Sequence, residues 1–242
     1  MTRPAGLTTL RLHGRQRLFP PFALYTRGVI LLPAKESYPV ELARVRAALG
    51  NRLRSLSPDY LNARSTLKTS LGFLGTLIER GLPSRLRAAS LTSIFNYLPL
   101  TPWLATAGQP TEAQLAAVKA AGFQRVINLA PHGLENSLAD EAAVVTALGM
   151  DYVHIPVDFK NPGDAQFAVF CAALQAASGQ KILVHCAANM RVSAFIYRYR
   201  TQVLGEDRQL AEQDLHRIWK PFAAWEAFID RPAPAMPVEP DD

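Results

Sequence analysis

A chain of 242 residues that is 49% hydrophobic, 19% charged and 9% aromatic, with a mean hydropathy of +0.03, fits a soluble globular protein and excludes collagen and a wholly disordered chain. Two cysteines, Cys171 and Cys186, cannot form a disulfide framework and suit a reducing, cytoplasmic setting. The net charge of +6 is unevenly held: residues 1–90 carry 15 Lys/Arg against four acids, a net of +11, while residues 91–242 carry 11 against 16, a net of −5.

That asymmetry divides the chain into a basic extension over residues 1–90, disordered or partly helical, and a folded domain over 91–232, with a disordered tail over 233–242. No acid precedes Glu36. Three readings of the extension stay open: a basic arm for nucleic acid or anionic lipid, an organellar leader, and a poorly ordered segment. Only Val40 to Leu56 has helical spacing of its apolar residues there. The apolar stretch Phe22 to Pro33 is broken by Arg27, and Leu71 to Ile78 is too short to cross a bilayer, so no membrane span is expected. Nucleic acid is not an expected partner of the folded domain.

From about Ile94 the chain becomes regular. Leu98 to Ala107 is an apolar run interrupted by Pro99 and Pro102. Thr111 with Gln114 forms a capping box that opens a helix to about Ala121, and Gly122 ends it. Phe123 to Leu129 reads as a strand. Ser137 with Asp140 caps a helix to Leu148, and Gly149 stops it. Asp151 to Val157 is a second strand, Asp164 starts a helix to Ala177, and Lys181 to His185 is a strongly apolar strand. Helices over Ser193 to Leu204 and Arg208 to Ile229 follow, the second broken near Pro221. Strands alternating with helices predict an α/β fold of three layers, a mostly parallel sheet flanked by helices.

In such sheets ligands bind beyond the carboxyl ends of the strands. The turn after Lys181–His185 occupies that place and reads His185-Cys186-Ala187-Ala188-Asn189-Met190-Arg191-Val192-Ser193. A loop entering a helix N-terminus offers backbone N–H groups to an anion and favours a thiolate held among them. Arg191 adds a planar fork for two oxygens of an oxyanion. Asn189 tolerates the left-handed conformation a tight loop needs. Ser193 can donate a hydrogen bond to the sulfur. Cys171, inside an apolar helical run, reads as packing, and His132 and His154 read as structural. No His, Asp or Cys grouping has metal-ligand spacing, so neither a metal nor another cofactor is expected.

The pattern of His185, Cys186, Arg191 and Ser193 after an apolar strand resembles the phosphate-binding loop of cysteine-dependent phosphatases of the tyrosine and dual-specificity group. Three stretches, AGQPTEAQLAAVKAAGFQRVINL, LGMDYVHIPVDF and KILVHCAANMRVSAF, are similar to compact bacterial members, in particular the phosphatase-like domain found beside beta-lactamase-like hydrolases. The resemblance covers roughly residues 94–230. It implies that Cys186 attacks phosphorus, that Asp158 is the general acid, and that His185 orients the loop. Ala187, Ala188, Asn189, Met190, Arg191 and Val192 then bind the phosphate of a phosphorylated protein or small molecule.

Those phosphatases usually place one more residue between Cys and Arg, and a Gly where Asn189 stands. A loop of the length Cys186 to Arg191 is found in rhodanese-like sulfurtransferases, whose Cys carries a persulfide. A sulfurtransferase and an inactive phosphate-binding module are therefore the alternatives to a phosphatase.

Overall fold

The computed structural model describes residues 64–80 and 89–234. The expected helix over Val40 to Leu56 and most of the expected tail lie outside them. The described chain runs α1 (Arg64–Arg80), a 3-10 turn (Leu91–Ser93), β1 (Leu98–Pro99), β2 (Leu104–Ala107), α2 (Glu112–Ala120), β3 (Arg125–Asn128), α3 (Glu141–Ala147), β4 (Asp151–His154), α4 (Asp164–Gln175), β5 (Ile182–His185), α5 (Met190–Gln202), α6 (Arg208–Ile218) and α7 (Ala224–Asp230).

The strands form one sheet in the order β1-β2-β5-β3-β4, parallel throughout except for the antiparallel pair β1–β2. The mostly parallel, three-layer α/β architecture expected from the alternation is present. β5 is central and has no exposed residue, as a parallel strand covered on both faces requires. Its side chains alternate. Ile182 and Val184 join the core formed with Phe167, Phe170, Phe195 and Trp225, whereas Leu183 joins Leu115, Val118, Val145 and Phe123 on the opposite face.

The helix starts follow the sequence closely. Both halves of the Thr111–Gln114 capping box form. Asp140 alone caps α3, by accepting from Ala143 N; the Ser137 hydroxyl instead accepts from Leu134 N and closes the preceding turn. The interrupted run Leu98 to Ala107 is the β1–β2 hairpin at the sheet edge, where Pro99 costs no interior ladder bond. The last helical stretch is two helices, α6 and α7, parted by the segment containing Pro221.

α1 lies within the stretch expected to be an extension, yet it packs on α6 and contributes Phe73 and Leu77 to the larger core. Gly72 sits so close to Phe95 that an added Cβ would meet its ring at 2.6 Å. The folded unit therefore begins earlier than the charge boundary near residue 90.

Candidate functional site

β5 delivers His185 and Cys186 to the carboxyl edge of the sheet, and α5 begins at Met190. The loop between them is fastened from behind. Cys186 N donates to Ala107 O (3.3 Å), Gln109 N donates to Ala187 O (3.2 Å), and Asn136 Nδ2 donates to the same carbonyl (2.9 Å). Gly108 runs against Ala188, and a Cβ there would meet Phe95 O at 3.0 Å and Ala187 O at 3.1 Å, so a side chain would press on the backbone that fastens the loop.

Asn189 adopts φ 68°, ψ 0°, the left-handed conformation expected of the loop apex. Its side chain is fully buried, and Nδ2 donates to Asn96 O (2.8 Å) and Thr106 Oγ1 (2.9 Å). An asparagine thus supplies what a glycine would, together with two ties to β2 and the segment before β1. The backbone N–H groups of Ala187, Met190, Arg191 and Val192 have no acceptor among the described residues, whereas the bridge between Gly108 and Ala188 engages the backbone at the loop apex. The last three are the free donors of any helix start, and the first belongs to the residue after Cys186.

Arg191 is nearly buried, at 8% exposure. Its Nε donates to Val157 O (2.9 Å) and its Cζ lies 5.2 Å from the Phe159 ring centre. The terminal nitrogens make no hydrogen bond among the described residues, so one edge of the guanidinium is anchored and the other is unpaired there. Val157 and Phe159 flank Asp158, which is exposed on the loop after β4. Arg191 therefore brings the Asp158 loop beside the Cys186 loop. Asp158 Oδ1 accepts from Lys160 N (3.0 Å), and Trp225 Nε1 donates to Phe159 O (2.8 Å).

Ser193 does not donate to the sulfur. Its hydroxyl donates to Met190 O (3.1 Å) and accepts from Trp219 Nε1 (3.1 Å), so it turns toward α6. His185 faces the other side of the sheet and pairs with Glu141 at 2.8 Å. Glu141 accepts hydrogen bonds from Gln109 Nε2 (3.1 Å) and Asn128 Nδ2 (2.9 Å). Burial alone would push the Glu141 carboxyl up, but the charge and contact of His185 and the Gln109 hydrogen bond outweigh it and hold the carboxyl below its ordinary range. The neighbouring Tyr152 is pushed up to about 12 by burial and by the charge of Glu141.

Cys171 sits in α4 facing the core, and burial pushes its thiol up to about 11. His132 and His154 contact each other at 2.8 Å, and His154 Nε2 lies 2.8 Å from Ala130 O. Among the described residues no cluster of His, Cys, Asp and Glu has the makings of a metal site. Nor is any helix there long and apolar enough to cross a membrane. Asn96, Thr106, Asn136 and Glu141 escaped the sequence reading, because they lie far from the loop in sequence and match no motif.

Residues 96–199 match the family model of the beta-lactamase hydrolase-like protein, phosphatase-like domain. The chain is 29% identical over 143 residues to a beta-lactamase hydrolase-like protein of Agrobacterium fabrum, covering 55% of this chain and 32% of the relative. It thus spans about a third of the length of that curated relative. Two crystal structures of a candidate phosphatase (DUF442) from Shewanella putrefaciens CN-32 are similar to it. The first is 36% identical, with a TM-score of 0.52 over 57% of this chain and 91% of that one. The second gives the same identity and TM-score over 56% and 87%. The family-matched residues 96–199 take in the sheet, the Asp158 loop and the Cys186 loop together, and the chain belongs to the phosphatase-like domain family of the beta-lactamase hydrolase-like proteins.

Proposed function

We propose that the protein is a cysteine-dependent phosphatase that hydrolyses a phosphomonoester through a phosphocysteine. The observation that carries this reading is the set of unpaired N–H groups of Ala187, Met190, Arg191 and Val192, which stand between Cys186 and the half-anchored Arg191 fork. Such a loop complements a tetrahedral oxyanion and stabilises charge that develops on its equatorial oxygens.

In this mechanism the Cys186 thiolate attacks phosphorus, forming an S–P bond while the P–O bond to the leaving group breaks. Asp158, protonated, gives its proton to the departing oxygen. Water then attacks the phosphocysteine, Asp158 takes a proton from it, and phosphate leaves with the thiolate restored. His185, held by Glu141, fixes the strand end from which Cys186 projects. All of this chemistry comes from side chains and backbone amides of the chain, acting on a phosphorylated protein or small molecule in the cytoplasm.

Loop length supports a second reading, a sulfurtransferase with a Cys186 persulfide. The test is the full-length chain assayed with p-nitrophenyl phosphate and, separately, with thiosulfate and cyanide, beside Cys186→Ser and Asp158→Asn. Phosphate release abolished by the first substitution and lowered about 10²-fold or more by the second is the expected result. Thiocyanate formation that survives Asp158→Asn identifies the sulfurtransferase. Oxyanion binding without turnover identifies a binding module.

A further inference from the structure

We infer that α1, which precedes the family-matched residues, is a working part of the site, and that the Thr69 hydroxyl is a positioning group for the oxyanion loop; the inference rests on the phosphatase reading for its consequence, though not for its geometry. Thr69 is 2% exposed, and its Oγ1 is used twice. It donates to Ile218 O at the end of α6 (2.5 Å) and accepts from Asn96 Nδ2 (3.1 Å).

Asn96 passes the connection on. The same Nδ2 donates to Ala188 O (3.0 Å), and Asn96 O accepts from Asn189 Nδ2 (2.8 Å). Two consecutive residues at the loop apex therefore hang on one side chain and one carbonyl of Asn96. The orientation of Asn96 is set by a hydroxyl on a helix far from the loop in sequence. Asn96 itself has φ 50°, a left-handed conformation that costs free energy in any residue but glycine. Such a conformation persists where surrounding contacts hold it.

Around this connection α1 grips twice more. Thr66 accepts from Lys220 N (3.0 Å), which fixes the segment carrying Trp219, the partner of Ser193 at the start of α5. Gly72 lets α1 approach the Phe95 ring, and Phe95 O accepts from Gly108 N (2.7 Å) behind the loop. The face α1 presents to the domain thus sets hydroxyls and a glycine beside Phe73 and Leu77, and the polar part serves hydrogen bonds and close approach to the elements that hold the loop.

The consequence is that loop rigidity, and hence affinity for an oxyanion, depends on residues before the matched domain. Preorganised donors lose value when they must be ordered at the moment of binding. Amide hydrogen exchange over residues 186–191 and calorimetric binding of inorganic phosphate are measured on the full chain and on Thr69→Val, Thr69→Ser, Asn96→Gly and Leu71→Ala. Glycine at position 96 keeps the positive φ and removes only the side chain, while Leu71 is on the outer, exposed face of α1.

Thr69→Val and Asn96→Gly are expected to speed exchange in the loop but not in β3, and to weaken phosphate binding about tenfold. Thr69→Ser and Leu71→Ala should behave as wild type. Loop exchange and phosphate binding both unchanged in Asn96→Gly would overturn the inference, and this variant decides the question if Thr69→Val fails to fold. A uniform rise in exchange that Thr69→Ser does not rescue overturns it too, reducing α1 to general packing. If wild type binds no phosphate and turns over no phosphomonoester, the functional reading fails, while the exchange comparison still decides the role of α1.

Discussion

Glu141 lies 2.8 Å from His185, and neither side chain reaches water. The pair stands behind β5 at the residue preceding Cys186, and Gln109 and Asn128 satisfy the rest of the carboxylate. A buried carboxylate paired this closely is costly to break, because its partner is left without compensation. Glu141→Ala is expected to lower the unfolding free energy by about 3 kcal/mol, read from urea denaturation at neutral pH. Its depressed titration adds a pH signature. The stabilisation is complete above the ordinary glutamate value of about 4.5 and is lost as pH falls through the lower folded-state value. Glu141→Gln should therefore flatten the acid limb of stability against pH. A variant whose acid limb matches wild type would show that Glu141 is not ionised in the folded chain.

Ser193 is committed to Met190 O and to the Trp219 indole. Ser193→Ala leaves a fully buried Trp219 N–H without an acceptor, and such an orphan costs about 1–3 kcal/mol. The expected outcome is a lower melting temperature with kcat on p-nitrophenyl phosphate close to wild type. A fall in kcat at unchanged stability would return the hydroxyl to the sulfur, as the residue pattern alone suggests.

The contrast between Asn189 and Ser193 shows what the sequence could disclose. The left-handed apex, the parallel sheet and both legs of the Thr111–Gln114 cap are local consequences of residue type and spacing, and they are legible without coordinates. Ser193 could be placed in the right turn of the right helix, but its hydroxyl direction depends on Trp219, which arrives from α6. Glu141 reads in sequence as an ordinary acid at a helix start, favoured by the dipole. Only the strand order brings His185, Gln109 and Asn128 around it. α1 was hidden for a related reason: its buried face uses Thr66, Thr69 and Ser70 beside Phe73 and Leu77, so apolar periodicity is weak.

The two cysteines make an internal comparison. Both are fully enclosed, so accessibility alone does not separate them. Burial pushes Cys171 up to about 11, which leaves almost no thiolate at neutral pH. Cys186 instead opens the loop that carries the unpaired amides of Ala187 and of the start of α5. Iodoacetate near pH 6.5 should label Cys186 and spare Cys171 in peptide maps, and phosphate or vanadate should protect. Labelling of Cys171 at an equal rate would remove the basis for a nucleophilic role of Cys186.

Arg191 combines two contacts with an unpaired edge. Nε holds Val157 O, Cζ lies over the Phe159 ring, and the terminal nitrogens make no hydrogen bond among the described residues. Lysine retains the charge but has neither the second edge nor the plane. Arg191→Lys should therefore loosen the Asp158 loop and weaken oxyanion recognition together. Loss of one preorganised donor of this kind is worth on the order of 10²-fold in kcat. The split between parameters tells the two effects apart. A ground-state grip alone would raise KM at constant kcat, whereas a charge-stabilising role lowers kcat and kcat/KM in parallel. The parallel fall is expected, and with it a weaker response to Asp158→Asn in the Arg191→Lys background than in wild type, because the acid is no longer held beside the loop. Strictly additive losses in that double mutant would separate Arg191 from the placement of Asp158.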